Sequence, residues 1–125
     1  MNEGQKSEIT RHGENLKRIF HLSGDPISIS KRLRRVESEA QRYTTALANG
    51  ETNDTEEVQN KKLKELLNKA NKILNNTSNR IPIFINTDPR GYALKIDDGW
   101  VSQNRDKYPI QTDMGGYGII APEIR

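Results

Sequence analysis

Positive charge is concentrated in one short run of the chain, Lys31-Arg32-Leu33-Arg34-Arg35. A basic run of this kind attracts phosphate groups, so its four cationic side chains are candidate phosphate contacts. The candidates are Lys31, Arg32, Arg34 and Arg35. Residues 1–48 carry nine Lys/Arg against six Asp/Glu, whereas residues 81–125 carry five against six. The basic excess therefore lies in the N-terminal half, and the alternative reading of the run is a solvated helix face.

A second candidate set combines cations and aromatic rings in the C-terminal part of the chain. Aromatic faces stack on bases and cations hold phosphate, so this set predicts a site for a ligand or a partner. Its members are Arg90, Tyr92, Lys95, Trp100 and Tyr117. The neighbouring Gly115-Gly116-Tyr117-Gly118 is not a nucleotide loop, because it lacks a Lys-Ser/Thr pair and a following helix. Packing of the rings in the core is the competing explanation.

Catalytic chemistry has little support in the sequence. The chain has no cysteine, and its two histidines, His12 and His21, lack the spacing of metal ligands. Five aspartates are a possible Mg²⁺ cluster, namely Asp88, Asp97, Asp98, Asp106 and Asp113. The first three occupy turn positions that Asp favours for backbone reasons. We therefore predict no catalytic residue, no metal site and no cofactor.

The residues from Ile29 to Leu74 predict two long amphipathic helices. The first has apolar residues spaced 4-3-4-3-4 from Ile29 to Leu47, a cap at Ser28 or Ser30, and a stop at Asn49-Gly50. The second begins at Asp54 or Thr55, where Asp54 and Glu57 have capping-box spacing. Their short linker predicts an antiparallel helical hairpin. We expect a short helix from Glu14 before it and a disordered tail at residues 1–13.

The hydrophobic period changes from 3.6 to 2 at Ile81, which predicts strands around Ile81–Ile85 and Tyr92–Ile96. Asp88-Pro89-Arg90-Gly91 between them predicts a type I turn with Gly91 at positive φ. Tyr117–Ala121 is the expected third strand. Another turn is expected at Asp97-Asp98-Gly99, and a polar loop at residues 102–113.

The predicted fold class is thus α+β: a long antiparallel helical hairpin followed by a small antiparallel sheet of about three strands. Residues 14–80 form the helical region, and residues 81–125 form a β segment packed on it in the same domain. Hydrophobic residues make up 32% of the chain, against about 45–50% in ordinary domains. A chain with so few hydrophobic residues cannot bury much apolar surface alone, so we expect it to bury more by forming a homodimer. The two helices packed on each other would still leave Tyr43, Leu67 or Leu74 partly exposed, so we expect either the β segment or a second copy to cover the remainder. The absence of a long apolar run predicts no membrane association and a cytoplasmic location.

Two segments, Asp88-Pro-Arg-Gly-Tyr-Ala-Leu-Lys-Ile96 and Gly115-Gly-Tyr-Gly-Ile-Ile-Ala-Pro122, resemble small uncharacterised proteins of bacteriophages and mobile elements. The resemblance covers roughly residues 29–124 and brings no catalytic residues with it. It implies an accessory or counter-defence role in the cytoplasm of a bacterial host. Proteins that mimic DNA are strongly acidic, so the basic character of this chain disfavours mimicry.

Together these observations predict a non-enzymatic, phage-type binding protein, dimeric through its helices. It would engage a host protein or nucleoprotein through the β-hairpin tip. The alternative is a nucleotide or nucleic-acid binder that uses the basic helix or the Arg/Lys/aromatic β surface. A weaker third hypothesis is a small metal-dependent hydrolase built on the aspartates.

Overall fold

The computed structural model describes residues 3–78, 80–88, 90–104, 106 and 118–119, with the backbone alone for residues 3–8 and 118–119. Its helices are α1 (Glu3–Phe20), α2 (Pro26–Ala48), α3 (Glu56–Ile73) and α4 (Asp98–Asn104). Its strands are β1 (Ile83–Ile85), β2 (Leu94–Ile96) and a two-residue segment, β3 (Gly118–Ile119). The α+β class predicted from the sequence is confirmed.

Helix α1 is longer than expected, because residues 3–13 are helical where the sequence predicted a disordered tail. Ile9 is only 2% exposed and extends the apolar stripe of Leu16 and Ile19 by two turns. Gly13 lets α1 lie directly against the start of α2, since a Cβ there would overlap the carbonyl oxygen of Pro26. The prediction of a disordered tail was wrong because a segment with one apolar residue per two turns has the composition of a polar, unstructured segment.

Helix α2 begins earlier than predicted. Its N-cap is Asp25, whose carboxylate accepts a hydrogen bond from the Ser28 amide at 2.9 Å, and Pro26 occupies the first turn. The predicted caps, Ser28 and Ser30, lie inside the helix instead. Asp25 and Pro26 are therefore the start signal of α2. The predicted stop is confirmed, because Gly50 has φ +69° and its amide donates to the Leu47 carbonyl.

Helices α2 and α3 run antiparallel to each other. Lys69 Nζ lies 3.4 Å from Glu39 Oε2, and Lys62 Nζ lies 4.9 Å from the ring centre of Tyr43. Residue numbers thus rise along α3 as they fall along α2. The cap of α3 is Thr55, whose side chain accepts from the Val58 amide.

The predicted capping box of Asp54 and Glu57 does not form. Asp54 instead accepts a hydrogen bond from the Tyr43 hydroxyl at 2.8 Å and pairs with Lys62. The hydroxyl of Tyr43, followed by Lys62, lowers the pKa of Asp54. Asp54 therefore joins the loop to both helices of the hairpin, and the adjacent Thr55 caps α3.

The sheet is built on the antiparallel pair β1 and β2, in which Ile83 faces Ile96 and Ile85 faces Leu94. β3 pairs antiparallel with Lys95 and Ile96 on the other side of β2. The described sheet therefore has two full strands and a two-residue segment, fewer than the three strands expected. The rest of the expected third strand, Tyr117 and residues 120–121, lies outside the described residues.

The hairpin loop is wider than the sequence predicted. The Asp88–Gly91 turn is present, since the Gly91 amide donates to the Asp88 carbonyl at 3.5 Å. Gly91 is not at positive φ, however, so the expected bulge is wrong. The strands end at Ile85 and resume at Leu94, two residues after the expected Tyr92.

Helix α4 replaces the turn predicted at residues 97–99 and the start of the polar loop predicted at residues 102–113. The carboxylate of Asp97 accepts from the Trp100 amide at 3.3 Å, and its carbonyl accepts from the Val101 amide. Val101 is fully buried and Trp100 packs against the main core. A single buried anchor in a short helix leaves little periodic signal, which explains the wrong prediction.

One core cluster joins α1, α2, α3, β2 and α4. Leu74 is fully buried in it together with Ile81 and Leu94, so the β segment covers this residue, whereas Tyr43 and Leu67 are half-buried. Buried Asn76 ties the end of α3 to the start of the sheet. Its Oδ1 accepts from the Ile81 amide at 3.2 Å, and its Nδ2 donates to the Ile81 carbonyl at 2.8 Å.

Candidate functional site

All four residues of the predicted phosphate-contact set are exposed on α2. Three of them, Lys31, Arg34 and Arg35, line a cleft beside α1 with a volume of about 510 Å³. The lining is completed by Ile9, Ser38, Glu39 and Arg42. Positions 31, 35, 38 and 42 repeat every three or four residues, so helical geometry places them on one face.

Arg32 differs from the other three residues of the set. It is exposed but does not line the cleft, because one residue turns an α-helix by about 100° and moves its side chain away from Lys31. Arg42 is the fourth cation that lines the cleft, although it was not predicted from the sequence. The signal was present, since Arg42 lies seven residues after Arg35, which is two turns along the same face.

The lining carries a strong excess of positive charge. Among the lining residues that the structure describes, Glu39 is the single carboxylate, and Lys69 pairs with Glu39 at 3.4 Å. Within the described residues, no carboxylate forms an ion pair with any of the four cations. We call these four residues, Lys31, Arg34, Arg35 and Arg42, the basic face of α2.

The cations of the basic face lie beyond the first turn of α2, which begins at Pro26 and has no acidic residue. The effect of the helix dipole falls off within the first turn, so it contributes little to the energy of these charges.

The described members of the second predicted set have different surroundings. Arg90 forms a double hydrogen bond with Asp88, with Nε and Nη2 each 3.1 Å from a carboxylate oxygen. That bond lowers the pKa of Asp88 and raises the pKa of Arg90. Tyr92 and Trp100 are half-buried, and Tyr117 lies outside the described residues. Trp100 serves the core, which was the competing explanation for the rings.

Lys95, the remaining member of the set, is only 4% exposed. Burial lowers its pKa, while the charges of Glu37 and Asp88 raise it. Its ammonium group lies beneath the hairpin loop, where a Cβ on Gly91 would come within 3.4 Å of Nζ. Lys95 therefore belongs to the interior of the hairpin and not to a surface open to a ligand.

Sequence reasoning missed Glu37, the most unusual ionisable residue of the described chain. Its carboxylate oxygens each accept a backbone hydrogen bond at 2.7 Å, one from the Ala93 amide and one from the Leu94 amide. Burial raises its pKa to about 7, although both hydrogen bonds and the charge of Lys95 lower it. Its spacing of four residues from Leu33 put it on the buried face, and this signal was available in the sequence.

Of the aspartates considered for metal binding, Asp88 lies in the hairpin turn, Asp97 precedes helix α4 and Asp98 begins it. Asp88 accepts from the Arg90 amide, and Asp97 accepts from the Trp100 amide. Asp113 lies outside the described residues. Among the residues that the structure describes, no three His, Cys, Asp or Glu side chains are grouped so that they could hold a metal ion. In the same residues, no helix combines the length and apolar character needed to cross a bilayer.

Comparisons with known proteins give no match, whether to a protein-family model, to a curated protein or to a solved structure.

Proposed function

We propose that this chain is a non-enzymatic binding protein that contacts the phosphate backbone of nucleic acid through the basic face of α2. The observation that carries the proposal is the alignment of four cations on one helix face with no acidic partner in the described chain. Three of the four are arginines, whose planar guanidinium groups match phosphate oxygens.

Salt dependence of binding measures the number of phosphate contacts directly. Neutralising Z phosphates releases counterions, and log K then falls against log salt with a slope of about −0.9Z for duplex DNA. Four contacts predict a slope between about −3 and −4. The measurement is a titration of labelled nucleic acid with protein at several salt concentrations, followed by fluorescence anisotropy.

A fourfold Gln variant removes the basic face while leaving the buried side of α2 unchanged. We expect it to lose most of the slope and about a hundredfold or more in affinity near 0.1 M salt. The altered residues are Lys31, Arg34, Arg35 and Arg42. A control variant with the same charge change away from the cleft replaces exposed Lys61, Lys64 and Lys72 of α3 and exposed Arg18 of α1 with Gln. An equal loss in both variants would mean that net charge alone governs binding, and would overturn the proposal.

A protein partner at the hairpin tip is the second candidate function. The side chain of Arg90 is 88% exposed, and Asp88 holds it in one orientation. A cation fixed in place loses little entropy on binding, which favours a specific polar contact. Affinity capture from a bacterial lysate, with and without nuclease, tests this candidate. A specific partner must survive nuclease treatment and be lost with Arg90→Ala.

The phage-type setting, a counter-defence role and location in the host cytoplasm remain predictions that rest on the resemblance of the C-terminal segments. Dimer formation also remains a prediction. It is supported by Val58, which is 41% exposed, and by half-buried Tyr43 and Leu67 on the same helical hairpin. Light scattering coupled to size-exclusion chromatography measures the oligomeric state, and a mass of one chain at all concentrations would exclude the dimer.

A further inference from the structure

We infer that the nucleic acid bound by the basic face is double-stranded and is held without regard to its base sequence. This inference rests on the proposed function and names its ligand class. Three properties of the described structure carry it: the length of the cationic row, the residues that line the cleft, and the helices on either side of α2.

The cationic row is carried by a single helix. From Lys31 to Arg42 α2 rises by about 16 Å, at about 1.5 Å per residue. Over that length a duplex has roughly ten phosphates on its two strands, and the four cations can contact only those on the side that faces α2. Side chains fixed to one helix form an ordered row, which suits a stiff duplex better than a flexible single strand.

The lining of the cleft lacks the groups that bind single strands. Proteins that hold single strands stack successive bases on aromatic rings. No aromatic residue is among the residues that line this cleft. Elsewhere in the described chain, Phe20 is buried, Tyr43 bonds to Asp54, and Trp100 packs on the core. The chemistry of the face is therefore directed at phosphates and not at bases.

The flanking helices keep α2 from reading base edges. Ser30 donates to the Ile9 carbonyl at 2.9 Å, which fixes α1 along one side of α2. The ion pair of Lys69 and Glu39 fixes α3 along the other side. A recognition helix enters a major groove about 12 Å wide by itself, and a surface of adjacent helices is wider than that groove. The basic face thus reaches the backbone, which carries no direct sequence information.

Competition between defined probes tests the inference. The probes are two labelled duplexes of about 20 base pairs with unrelated sequences, their separate strands, and an oligo-dT of equal length. Affinities are measured from about 50 to about 200 mM salt, the range over which phosphate contacts lose most affinity. We expect the two duplexes to bind within about threefold of each other, and every single strand to bind at least about tenfold more weakly.

Each other outcome has a distinct meaning. Single strands that bind as tightly as the duplexes would overturn the inference and leave the proposed function standing. A preference of more than about tenfold for one duplex would overturn the sequence independence. Failure of all probes to bind would overturn the proposed function itself. Duplex binding that persists in the fourfold Gln variant would place the contact on another surface and overturn both.

Discussion

The basic face of α2 and the junction between the helices and the sheet use polar groups in opposite ways. At the junction, Glu37 and Asn76 are almost fully buried, and each bonds to the backbone of the β segment. On the basic face, Lys31, Arg34 and Arg35 are exposed and lack an acidic partner in the described chain. Residue type alone does not distinguish the two regions. Burial and internal hydrogen bonds distinguish a structural polar group from one that is available to a ligand.

Desolvation explains the difference. A buried donor or acceptor without a partner costs about 1–3 kcal/mol, so residues at the junction must bond internally for the chain to fold. An exposed cation is already hydrated and needs no partner. Mutations at the junction should therefore change stability, and mutations on the basic face should change binding. The four predictions below test that division.

The largest effect is expected for Asn76→Asp. The carboxylate keeps the acceptor for the Ile81 amide but loses the two donor bonds to the Ile81 carbonyl and to Asn71. It also buries a charge, so we expect a loss of about 3 kcal/mol in the free energy of unfolding at pH 7. Urea denaturation measures it.

The neighbouring substitution Asn75→Asp is the matched control. Asn75 is exposed at φ 51°, a conformation that Asp also tolerates, so its cost should stay below about 1 kcal/mol. Equal losses at Asn75 and Asn76 would show that the Asn76 bonds do not hold the sheet on the helices.

The second prediction concerns Glu37 and pH. Its pKa is raised in the folded state from 4.5 to about 7, so the folded protein binds a proton that the unfolded chain has released between those values. The contribution of Glu37 to stability is therefore fully present below about pH 4.5 and is lost as pH rises to about 7, by up to about 3 kcal/mol.

Glu37→Gln provides the non-titrating reference for this measurement. The Gln amide group must face one of the amides of Ala93 and Leu94, which leaves donors unpaired and costs about 2 kcal/mol at pH 5. That cost should shrink to near zero or reverse by pH 8. Denaturation of both proteins from pH 4.5 to pH 8 shows the trend. A cost that grows with pH would mean that the carboxylate is favoured in its site.

Sequence reasoning found the features that repeat. The periodicity of α2 and α3, the Asn49-Gly50 stop and the change to period 2 at Ile81 gave the fold class and the helical hairpin, because burial of a periodic face dictates them. The run at residues 31–35 gave three members of the basic face. Arg42 was missed because the run was considered as a stretch of sequence and not projected onto the helix.

The features it missed depend on single contacts between distant segments. The bonds of Glu37 to Ala93 and Leu94 join residues more than 50 positions apart, and no local pattern reports them. The helical state of residues 3–13 depends on the fit of Gly13 against Pro26. Arg90 and Lys95 were grouped by proximity in sequence, although one bonds to a turn carboxylate and the other lies inside the hairpin. Composition cannot distinguish those environments.

The third prediction concerns Asp25, which caps the helix that carries both regions. Asp25→Ala removes the bond to the Ser28 amide and should cost about 1 kcal/mol of stability. Asp25→Asn retains an acceptor and should cost less than about half of that. Hydrogen exchange at the Ser28 amide should accelerate in the Ala variant alone. Equal exchange in both variants would show that the cap bond does not hold the first turn.

The smallest effect is expected for Arg90→Gln, which tests where the boundary between the two regions lies. Arg90 is as exposed as the basic face but already bonds to Asp88, so its charge is compensated within the chain. We expect the urea midpoint to stay unchanged, the duplex affinity to change by less than about twofold, and the salt slope to be preserved. Arg34→Gln should instead lower the slope by about one and the affinity by up to about tenfold near 0.1 M salt. If Arg90→Gln weakened duplex binding as much as Arg34→Gln, a cation that already bonds to a carboxylate of the chain would still contribute to duplex binding. The hairpin tip would then belong to the same nucleic-acid interface as α2.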